Sequence, residues 1–303
     1  MRAVLPAVDA PAPAASAREV DDARERLLAV LSSLGSAVVA FSGGVDSTLL
    51  LRAAMAAPGL RVVALTTRSA TTTGEETAEA VRLAAAMGAP HVVVDTDELS
   101  TPGYADNPAH RCYLCKQVLY PECARLAGRM GLAFVVDGVN TDDLGDYRPG
   151  LRAAEEHSVR HPLVEAGLSK SMVRALSRSW GLDTAERPAS PCLSSRFPYG
   201  TRITREGLAR MAKAEAALRA LDFRELRVRF LGAAARVEVA ADEHHRLAEA
   251  RDAAAVRAAV LAAGFDAVEL SPLPLRSGSL NDVLDPLTRD RRAGDPPPTR
   301  RIP

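Results

Sequence analysis

Residues 38–51, VVAFSGGVDSTLLL, place an apolar run on each side of a Ser-Gly-Gly turn. The first run predicts a buried strand, and the second predicts a helix. Because Gly43 and Gly44 lack side chains, backbone N–H groups can converge on one point between the two elements, and the N-terminal end of the helix adds positive potential there. The stretch therefore predicts an anion-binding loop at the end of a strand.

The loop differs from the Walker pattern, which needs a lysine directly after its last glycine, whereas no lysine is near Gly43 or Gly44 in the sequence. Asp46 would repel a polyphosphate unless a divalent cation lay between them, so ATP with Mg²⁺ is the expected ligand. An ordinary strand-to-helix turn with an Asp or Ser cap is the alternative. The residues expected to bind the nucleotide are Ser42, Gly43, Gly44, Val45, Asp46 and Ser47.

Apolar strands and helix-like segments alternate through residues 18–184, which predicts an α/β domain whose parallel sheet is flanked by helices. The expected strands are 37–41, 61–66, 91–94, 134–137 and 158–162. The expected helices are 48–56, 74–87, 108–130 and 169–180. Together with the loop, this pattern predicts that residues 18–184 form an ATP-binding domain.

The pattern changes after this domain. Residues 185–204 are irregular and rich in proline, and they are too long for a simple connector, so we expect an active-site junction that folds over the strand ends. Residues 205–275 predict a smaller α+β domain for substrate binding or oligomerisation: a helix at 205–221, strands at 225–230 and 235–240 in an antiparallel sheet, a helical region at 243–264 and a strand at 267–270. Residues 1–17 and 276–303 have the composition of a flexible leader and a tail.

Acidic and basic side chains balance, with 38 of each. A net charge of zero provides no field that would attract a large polyanion, so nucleic acid is not an expected partner. No run reaches the roughly 20 apolar residues that span a bilayer, and the first residues lack the pattern of a secretory signal. We therefore expect a cytoplasmic protein that acts on a small molecule. Only Lys116, Lys170 and Lys213 are lysines, which indicates a genome that favours arginine.

Four cysteines are few for 303 residues, and in a reducing compartment a C-x-x-C pair indicates metal or redox chemistry. Cys112 and Cys115 lie one helical turn apart, and with Cys192 they offer three thiolates. Three thiolates would leave one iron of an iron–sulfur cluster free to hold a sulfide, whereas zinc would need a fourth ligand such as His110. Two core cysteines or a reversible disulfide are the alternatives. Cys123 lies about 12 Å farther along the helix and is expected to be buried.

An acidic loop follows the expected strand at 134–137. It contains Asp142 and Asp143, followed in the sequence by Asp146, Tyr147 and Arg148. Carboxylates at the carboxyl end of a strand can bind a metal ion or orient ribose hydroxyls. A solvated acidic loop is the alternative.

Arginines near the junction are candidates for binding a phosphate. Arg227 and Arg229 lie on one face of a strand, and Arg196 follows Cys192 by four residues. Arginine binds phosphate through two parallel hydrogen bonds, so the pair is expected to bind the phosphate of a substrate. Exposed arginines on a small sheet are the alternative. The acidic candidates in this domain are Glu215 and Asp242.

The sequence resembles a known superfamily and one family within it. SGGVDS after the first strand resembles the loop of the pyrophosphatase-loop ATPases, which have the adenine nucleotide alpha hydrolase-like fold and split ATP into AMP and pyrophosphate. Four further segments are similar to the LarE family, sulfur transferases that make the thiocarboxylates of the nickel-pincer nucleotide cofactor. These segments are NPAHRCYLCK at 107–116, DGVNTDDLGDYRPGLRAA at 137–154, SPCLSSRFPYGTRIT at 190–204 and RSGSLN at 276–281.

This resemblance implies that ATP activates a carboxylate of pyridinium-3,5-biscarboxylic acid mononucleotide, with Asp142 and Asp143 in the nucleotide site. In one branch of the family the single cysteine matching Cys192 gives up its sulfur and becomes dehydroalanine. In another branch, three cysteines are thought to hold a [4Fe-4S] cluster with a labile sulfur. The sequence has the three-cysteine pattern, so the resemblance favours a cluster on Cys112, Cys115 and Cys192.

The resemblance also implies that Cys192, Asp46, Ser195 and Arg196 take part in catalysis, and that the protein assembles as a hexamer. Three other functions remain open. They are a tRNA thiolase of the same superfamily, an ammonia-dependent amidating ligase and a non-catalytic nucleotide sensor.

Overall fold

The computed structural model describes residues 15–145 and 148–276. Most of the predicted leader, nearly all of the predicted tail, and Asp146 and Tyr147 lie outside the described residues. The first sheet consists of β1 (Ser36–Ala40), β2 (Arg61–Arg68), β3 (His91–Asp95) and β4 (Phe134–Val136). Its strands lie in the order β3-β2-β1-β4, and each neighbouring pair is parallel. The predicted parallel sheet is therefore confirmed.

Helices cover both faces of this sheet. They are α1 (Ala17–Ser33), α2 (Val45–Ala56), α3 (Gly74–Ala86), α4 (Arg111–Met130), α5 (Gly150–Glu156), α6 (Pro162–Glu165) and α7 (Lys170–Ser179). Side chains of a strand alternate between faces, so Ala37 and Val39 of β1 pack in the cluster with α1, α2 and α7, whereas Val38 and Ala40 pack in the cluster with α4 and α5. Burial on both faces explains why the strands are continuously apolar.

Helix α1 was not predicted from the alternation of strands and helices. Its N-terminus has a capping box, because Ser16 accepts a hydrogen bond from the Glu19 N–H and the Glu19 carboxylate accepts one from the Ser16 N–H. The helix buries Val20, Ala23, Leu27 and Leu31, which are spaced three to four residues apart and form one face.

The guanidinium carbons of Arg24 on α1 and Arg52 on α2 lie 5.9 and 5.4 Å from the ring centre of Trp180. Trp180 is the C-terminal cap of α7. Cation–π contacts of this kind connect the three helices at one point.

The fifth strand expected at 158–162 is wrong. Only a single bridge joins Val136 to Arg160 there, and α6 begins at Pro162. Ser158, the first residue of the expected strand, has a positive φ of 52°, which is incompatible with an extended strand at that position. Proline has no N–H to donate to a sheet and is well suited to the first position of a helix, so the chain turns into α6 instead.

A second sheet follows the junction. Its elements are α8 (Arg205–Arg219), β5 (Leu226–Leu231), β6 (Ala234–Val239), α9 (Ala250–Ala262) and β7 (Ala267–Leu270). The pair β5–β6 is antiparallel as predicted, but β7 lies parallel to β6. The sheet is mixed because α9 carries the chain back across it before β7, as a parallel connection requires. The division of the chain at 185–204 stays a prediction.

Within the part of the chain that the structure describes, no helix combines the length and apolarity needed to cross a bilayer.

Candidate active site

The Ser-Gly-Gly loop joins β1 to α2 as the sequence predicted. Gly43 has a φ of +75°, a backbone conformation that strains residues with a side chain, so glycine is favoured there. Gly44 is the N-terminal cap of α2, and no described side chain caps it. The first N–H groups of α2 are therefore available to an anion.

Ser47 holds the loop closed from inside α2. Its hydroxyl donates to the Gly44 carbonyl at 3.2 Å and accepts from the Ser42 N–H at 3.3 Å. Ser42 and Ser47 also share a hydrogen bond between their hydroxyls at 3.1 Å. These contacts fix the shape of the loop.

Gly138, two residues beyond β4, lies directly against this loop. A Cβ at Gly138 would be 2.9 Å from the Ser47 backbone N and 3.2 Å from the Asp46 Cβ. The approach is possible because parallel β1 and β4 are neighbours and their carboxyl ends lie side by side.

Gly138→Ala is expected to lower the free energy of unfolding by about 1–3 kcal/mol, because the added methyl forces the backbone of one loop away from the other. It should also weaken ATP binding, since Ser47 shapes the loop. Urea denaturation and calorimetric titration with ATP measure the two effects. Gly128→Ala is the matched control, because Gly128 lies inside α4 with open space around its Cα. Equal stability of the two variants would contradict the close approach.

The turn that carries Gly138 is fixed by a buried carboxylate. Asp137 accepts a hydrogen bond from the Tyr120 hydroxyl at 2.7 Å and lies 2.6 Å from Nδ1 of His161. Burial opposes ionisation of Asp137, but the hydrogen bond from His161 and the charge of Lys116 outweigh it, and the pKa of this carboxyl is lower than usual. No local sequence pattern indicates this cluster, because its members come from three separate segments.

Asp46 lies at the centre of a polar network. Its Oδ2 is 2.6 Å from Nζ of Lys170, and its Oδ1 accepts a hydrogen bond from Nδ2 of Asn140 at 3.2 Å. The backbone N–H of Lys170 donates to Asp142 at 3.1 Å, and that of Asn140 donates to Asp143 at 3.1 Å. The predicted residues Asp46, Asp142 and Asp143 therefore come together on one network.

Sequence reasoning missed Lys170 and Asn140. The sequence has no lysine beside the loop, but the fold brings Lys170 to Asp46 across 124 residues. A usable signal was that Lys170, one of three lysines, directly follows Ser169, a typical N-terminal capping residue.

The three candidate cysteines lie in one region. Cys112 and Cys115 are in the first turns of α4, and Cys192 directly precedes a 3₁₀ turn, Leu193–Arg196. Desolvation raises the pKa of the Cys115 thiol to about 12, and the neighbouring thiol of Cys192 adds to the shift. Solvent reaches Cys112, but the protein atoms around its thiol reduce hydration and raise its pKa as well.

No three His, Cys, Asp or Glu side chains of residues 15–145 and 148–276 converge in the arrangement of a metal site. The predicted ligand set of Cys112, Cys115 and Cys192 therefore stays a prediction. His110, the candidate fourth zinc ligand, is the N-terminal cap of α4. Cys123 is fully buried, in agreement with its expected role in the core.

Ser195 and Arg196 bind the backbone of the Cys192 turn. The Ser195 hydroxyl donates to the Cys192 carbonyl at 2.7 Å, and Nη1 of Arg196 donates to the same carbonyl at 3.2 Å. From the other side, the Tyr104 hydroxyl shares a hydrogen bond with Ser194 at 2.9 Å. These contacts fix the position of the Cys192 backbone, so both predicted residues have a positioning role in this arrangement.

Glu215 is fully buried and forms an ion pair with Arg196, which is 3% exposed. Its carboxylate accepts from Nε of Arg196 at 2.8 Å, from Nη2 at 3.0 Å and from the Val228 N–H at 3.1 Å. The sequence suggested that Glu215 binds substrate. These contacts instead direct its carboxylate to Arg196, and through Arg196 it supports the Cys192 turn.

Arg227 and Arg229 are residues of β5, and both lie close to Arg196 of the 3₁₀ turn. Arg229 donates to Glu238 at 2.9 Å and to the Ser195 carbonyl at 3.1 Å. Arg227 is 6% exposed, and no described residue makes a hydrogen bond to its guanidinium. Burial lowers the pKa of Arg227, and the charges of Arg229 and Arg196 lower it further. Glu215 and Glu238 offset two of these three guanidinium charges, so the charge of Arg227 remains to attract an anion beside the Cys192 turn. Asp242, the other acidic candidate, pairs at the surface with Arg224.

Comparison with known proteins agrees with this geometry. The family described as "Queuosine biosynthesis protein QueC" matches residues 36–106, which contain β1, the loop and α2. A protein of Lactiplantibacillus plantarum named pyridinium-3,5-bisthiocarboxylic acid mononucleotide synthase is 38% identical over 85% of this chain and 93% of its own length. The chain belongs to the LarE family. The predicted family and the pyrophosphatase-loop fold are therefore confirmed.

Two further relatives place this LarE-family protein among its neighbours. An uncharacterised protein of Synechocystis is 41% identical over 86% of this chain and 97% of its own length. A tRNA-specific 2-thiouridylase MnmA of Thermosynechococcus vestitus is 28% identical over 56% of this chain and 55% of its own length. The Synechocystis protein and the L. plantarum synthase match more of this chain than MnmA does, and their matches extend into both sheets.

Proposed function

We propose that this LarE-family protein is an ATP-dependent sulfur transferase. It would convert a carboxylate of pyridinium-3,5-biscarboxylic acid mononucleotide into a thiocarboxylate during synthesis of the nickel-pincer nucleotide cofactor. The observation that carries the proposal is the Cys192 turn, which the buried Arg196–Glu215 pair holds beside Arg227, a buried arginine to which no described residue forms a hydrogen bond. The name of the L. plantarum relative, a bisthiocarboxylic acid mononucleotide synthase, supports the same chemistry.

The first half-reaction activates the carboxylate. ATP phosphates would lie against the N–H groups at Gly43, Gly44 and the start of α2, where no side-chain hydrogen bond caps the helix. A carboxylate oxygen of the substrate attacks the α-phosphorus, and the bond to the bridging oxygen of pyrophosphate breaks. Asp46 and the nearby Asp142 and Asp143 are the hard oxygen donors that suit Mg²⁺, which when bound would screen the phosphate charge from these carboxylates.

The second half-reaction delivers sulfur at Cys192. Once its proton is lost, the Cys192 Sγ attacks the carbonyl carbon of the acyl-adenylate and AMP leaves, giving a thioester. Loss of the Cα proton and cleavage of the Cβ–Sγ bond then release the thiocarboxylate and leave dehydroalanine at position 192. Ser195 and Arg196 hold the Cys192 carbonyl in place during these steps.

A [4Fe-4S] cluster on Cys112, Cys115 and Cys192 is the alternative source of sulfur, and the three-cysteine pattern favours it over sacrifice of Cys192. Iron–sulfur clusters are bound by thiolates. The three thiols are close enough that a thiolate at Cys192 raises the pKa of Cys112 and of Cys115. When bound, the cluster would supply a labile sulfide and spare the cysteine. Anaerobic purification followed by iron and acid-labile sulfide analysis tests this alternative. Iron-free protein that loses the mass of H₂S from Cys192 on turnover would contradict it.

The substrate phosphate is assigned to Arg227 and Arg229. Arg227→Met is expected to weaken binding of nicotinic acid mononucleotide about 10- to 100-fold, because a charge-assisted hydrogen bond contributes about 1.5–3 kcal/mol. Calorimetric titration measures the dissociation constant. Arg236→Met is the matched control, since Arg236 is an exposed residue of the next strand that pairs with Glu269. Unchanged binding by Arg227→Met would contradict the assignment.

Exchange of labelled pyrophosphate into ATP tests the function as a whole. We expect exchange only when pyridinium-3,5-biscarboxylic acid mononucleotide is present, because reversal of the first half-reaction regenerates ATP. Absence of exchange with that substrate would overturn the proposal. The homohexamer that the resemblance implies and the cytoplasmic location expected from the sequence stay predictions.

A further inference from the structure

Arg111, the first residue of α4, is a buried cation that no carboxylate of the described residues balances. It is 4% exposed, and its Nη1 donates to the side-chain oxygen of Asn107, a neutral amide. No described residue accepts a hydrogen bond from its Nε or Nη2. Arg196, by contrast, has the carboxylate of Glu215 as its partner. Because a buried charge without an ion partner is costly, a guanidinium in this state indicates a site for an anion.

Asn107 fixes this guanidinium against the junction segment. It is fully buried, and its Nδ2 donates to the carbonyls of Phe197 at 3.2 Å and Pro198 at 2.7 Å. Its φ of +55° is a left-handed conformation that asparagine adopts more readily than most residues. The guanidinium carbon of Arg111 also lies 5.8 Å from the ring centre of Tyr199. Contacts with two separate segments therefore set the position of the guanidinium.

This guanidinium lies close to two of the cysteines. Burial acts to lower the pKa of Arg111, but negative charge at Cys192 and at Cys112 outweighs it, and the pKa is raised. Interactions between charges weaken with distance, so both sulfur atoms are near the guanidinium. An anion bound by Arg111 would consequently lie beside the Cys192 thiol.

We propose that Arg111 binds a ring carboxylate of the mononucleotide substrate and holds it beside Cys192. The inference rests on the proposed function, because it takes Arg227 and Arg229 as the phosphate site. A pyridinium biscarboxylic acid mononucleotide carries a phosphate at one end and carboxylates at the other, so its site needs cations at both ends. Arg229 donates to the backbone of the Cys192 turn, whereas Arg111 lies near its thiol.

The remaining edge of the guanidinium matches a carboxylate. The N–H groups of Nε and Nη2 point in parallel, so the two oxygens of one carboxylate can accept from both of them. A carboxamide has one oxygen and an NH₂ group, and the NH₂ group would face an N–H donor. We therefore expect Arg111 to distinguish an acid from the amide of the same size.

Arg111→Met is expected to remove this preference without weakening binding of the amide. Wild type should bind nicotinic acid mononucleotide about 10- to 100-fold more tightly than nicotinamide mononucleotide, because the acid accepts two charge-assisted hydrogen bonds. In Arg111→Met the two dissociation constants should agree to within about threefold, and the amide should bind as it does to wild type. Calorimetric titration measures all four constants.

Three further variants make the test specific. Arg210→Met is the matched control, because the guanidinium carbon of Arg210 also lies 5.8 Å from an aromatic ring centre, that of Phe265, but Arg210 pairs with Glu206. It should keep the acid preference. Arg227→Met should weaken binding of both ligands equally, since both carry the phosphate. Arg111→Lys should keep only part of the preference, because it keeps the charge and loses the paired donors.

The outcomes separate this inference from the proposed function. Loss of the acid preference with intact amide binding supports it. A preference that persists in Arg111→Met, a folded variant that loses both ligands equally, or a variant changed only in iron content overturns it, while pyrophosphate exchange still supports the function. If circular dichroism shows that Arg111→Met is unfolded, Arg111→Lys decides, and an undiminished preference there overturns the inference. Wild-type protein that binds neither mononucleotide and shows no exchange overturns both.

Discussion

Replacing Cys192 with serine is expected to abolish thiocarboxylate formation and to leave exchange of pyrophosphate into ATP within about twofold of wild type. Serine keeps the shape of the turn, because the contacts that fix position 192 involve its backbone carbonyl and not its side chain. A hydroxyl cannot donate sulfur or bind iron. Mass spectrometry of the product measures the first effect, and isotope exchange measures the second.

Cys123→Ala is the matched control for this variant. Cys123 is buried in the core between α4 and the first sheet, so its loss should cost about 1 kcal/mol of stability and spare sulfur transfer. Cys112→Ser and Cys115→Ser then separate the two sources of sulfur. Loss of transfer in these variants supports the cluster, and retention supports Cys192 alone. Thiocarboxylate made by Cys192→Ser would contradict the role proposed for this residue.

Arg196→Met is expected to lower the free energy of unfolding by about 3–5 kcal/mol, because it leaves the carboxylate of Glu215 buried without its main partner. Glu215 is fully buried, and among the described residues the Val228 N–H and Arg219 would still donate to it. The double variant Arg196→Met, Glu215→Leu should recover much of this loss, since both charges are then removed. Guanidinium denaturation with an unchanged m-value measures the differences.

Arg202→Met provides the comparison for an exposed ion pair. Arg202 and Asp106 are 73% and 70% exposed, so the cost should stay below about 1 kcal/mol. In the double variant Arg196→Met, Glu215→Leu, stability should recover but sulfur transfer should remain impaired, because the Cys192 carbonyl has lost its Arg196 contact. Equal stability of Arg196→Met and Arg202→Met would contradict a structural role for the buried pair.

The parts of the fold predicted from the sequence are those with a local signal. The strand, loop and helix at 38–51 follow from hydrophobic runs and two glycines, and the structure reproduces them to within a few residues. The same holds for the strand 267–270, which β7 matches. Such features depend on neighbouring residues, and hydrophobic periodicity detects them.

Features that depend on distant residues could not be predicted. Lys170 meets Asp46 only because α7, which begins with Lys170, packs against α2, which carries Asp46. The expected catalytic role of Arg196 gave no sign of its buried ion pair, because its partner Glu215 lies on another element. The fifth expected strand failed for a different reason: Val159 and Arg160 have a strand-like pattern, but Pro162 starts a helix.

The cation–π contacts around Trp180 give the molecule an optical reporter. Trp180 is the single tryptophan of the chain, so the intrinsic fluorescence of the unlabelled protein comes from one indole, flanked by Arg24 and Arg52. It caps the helix that begins with Lys170. A change in emission on adding Mg²⁺–ATP would therefore record any tilt of that helix against its two neighbours, in real time and without a dye.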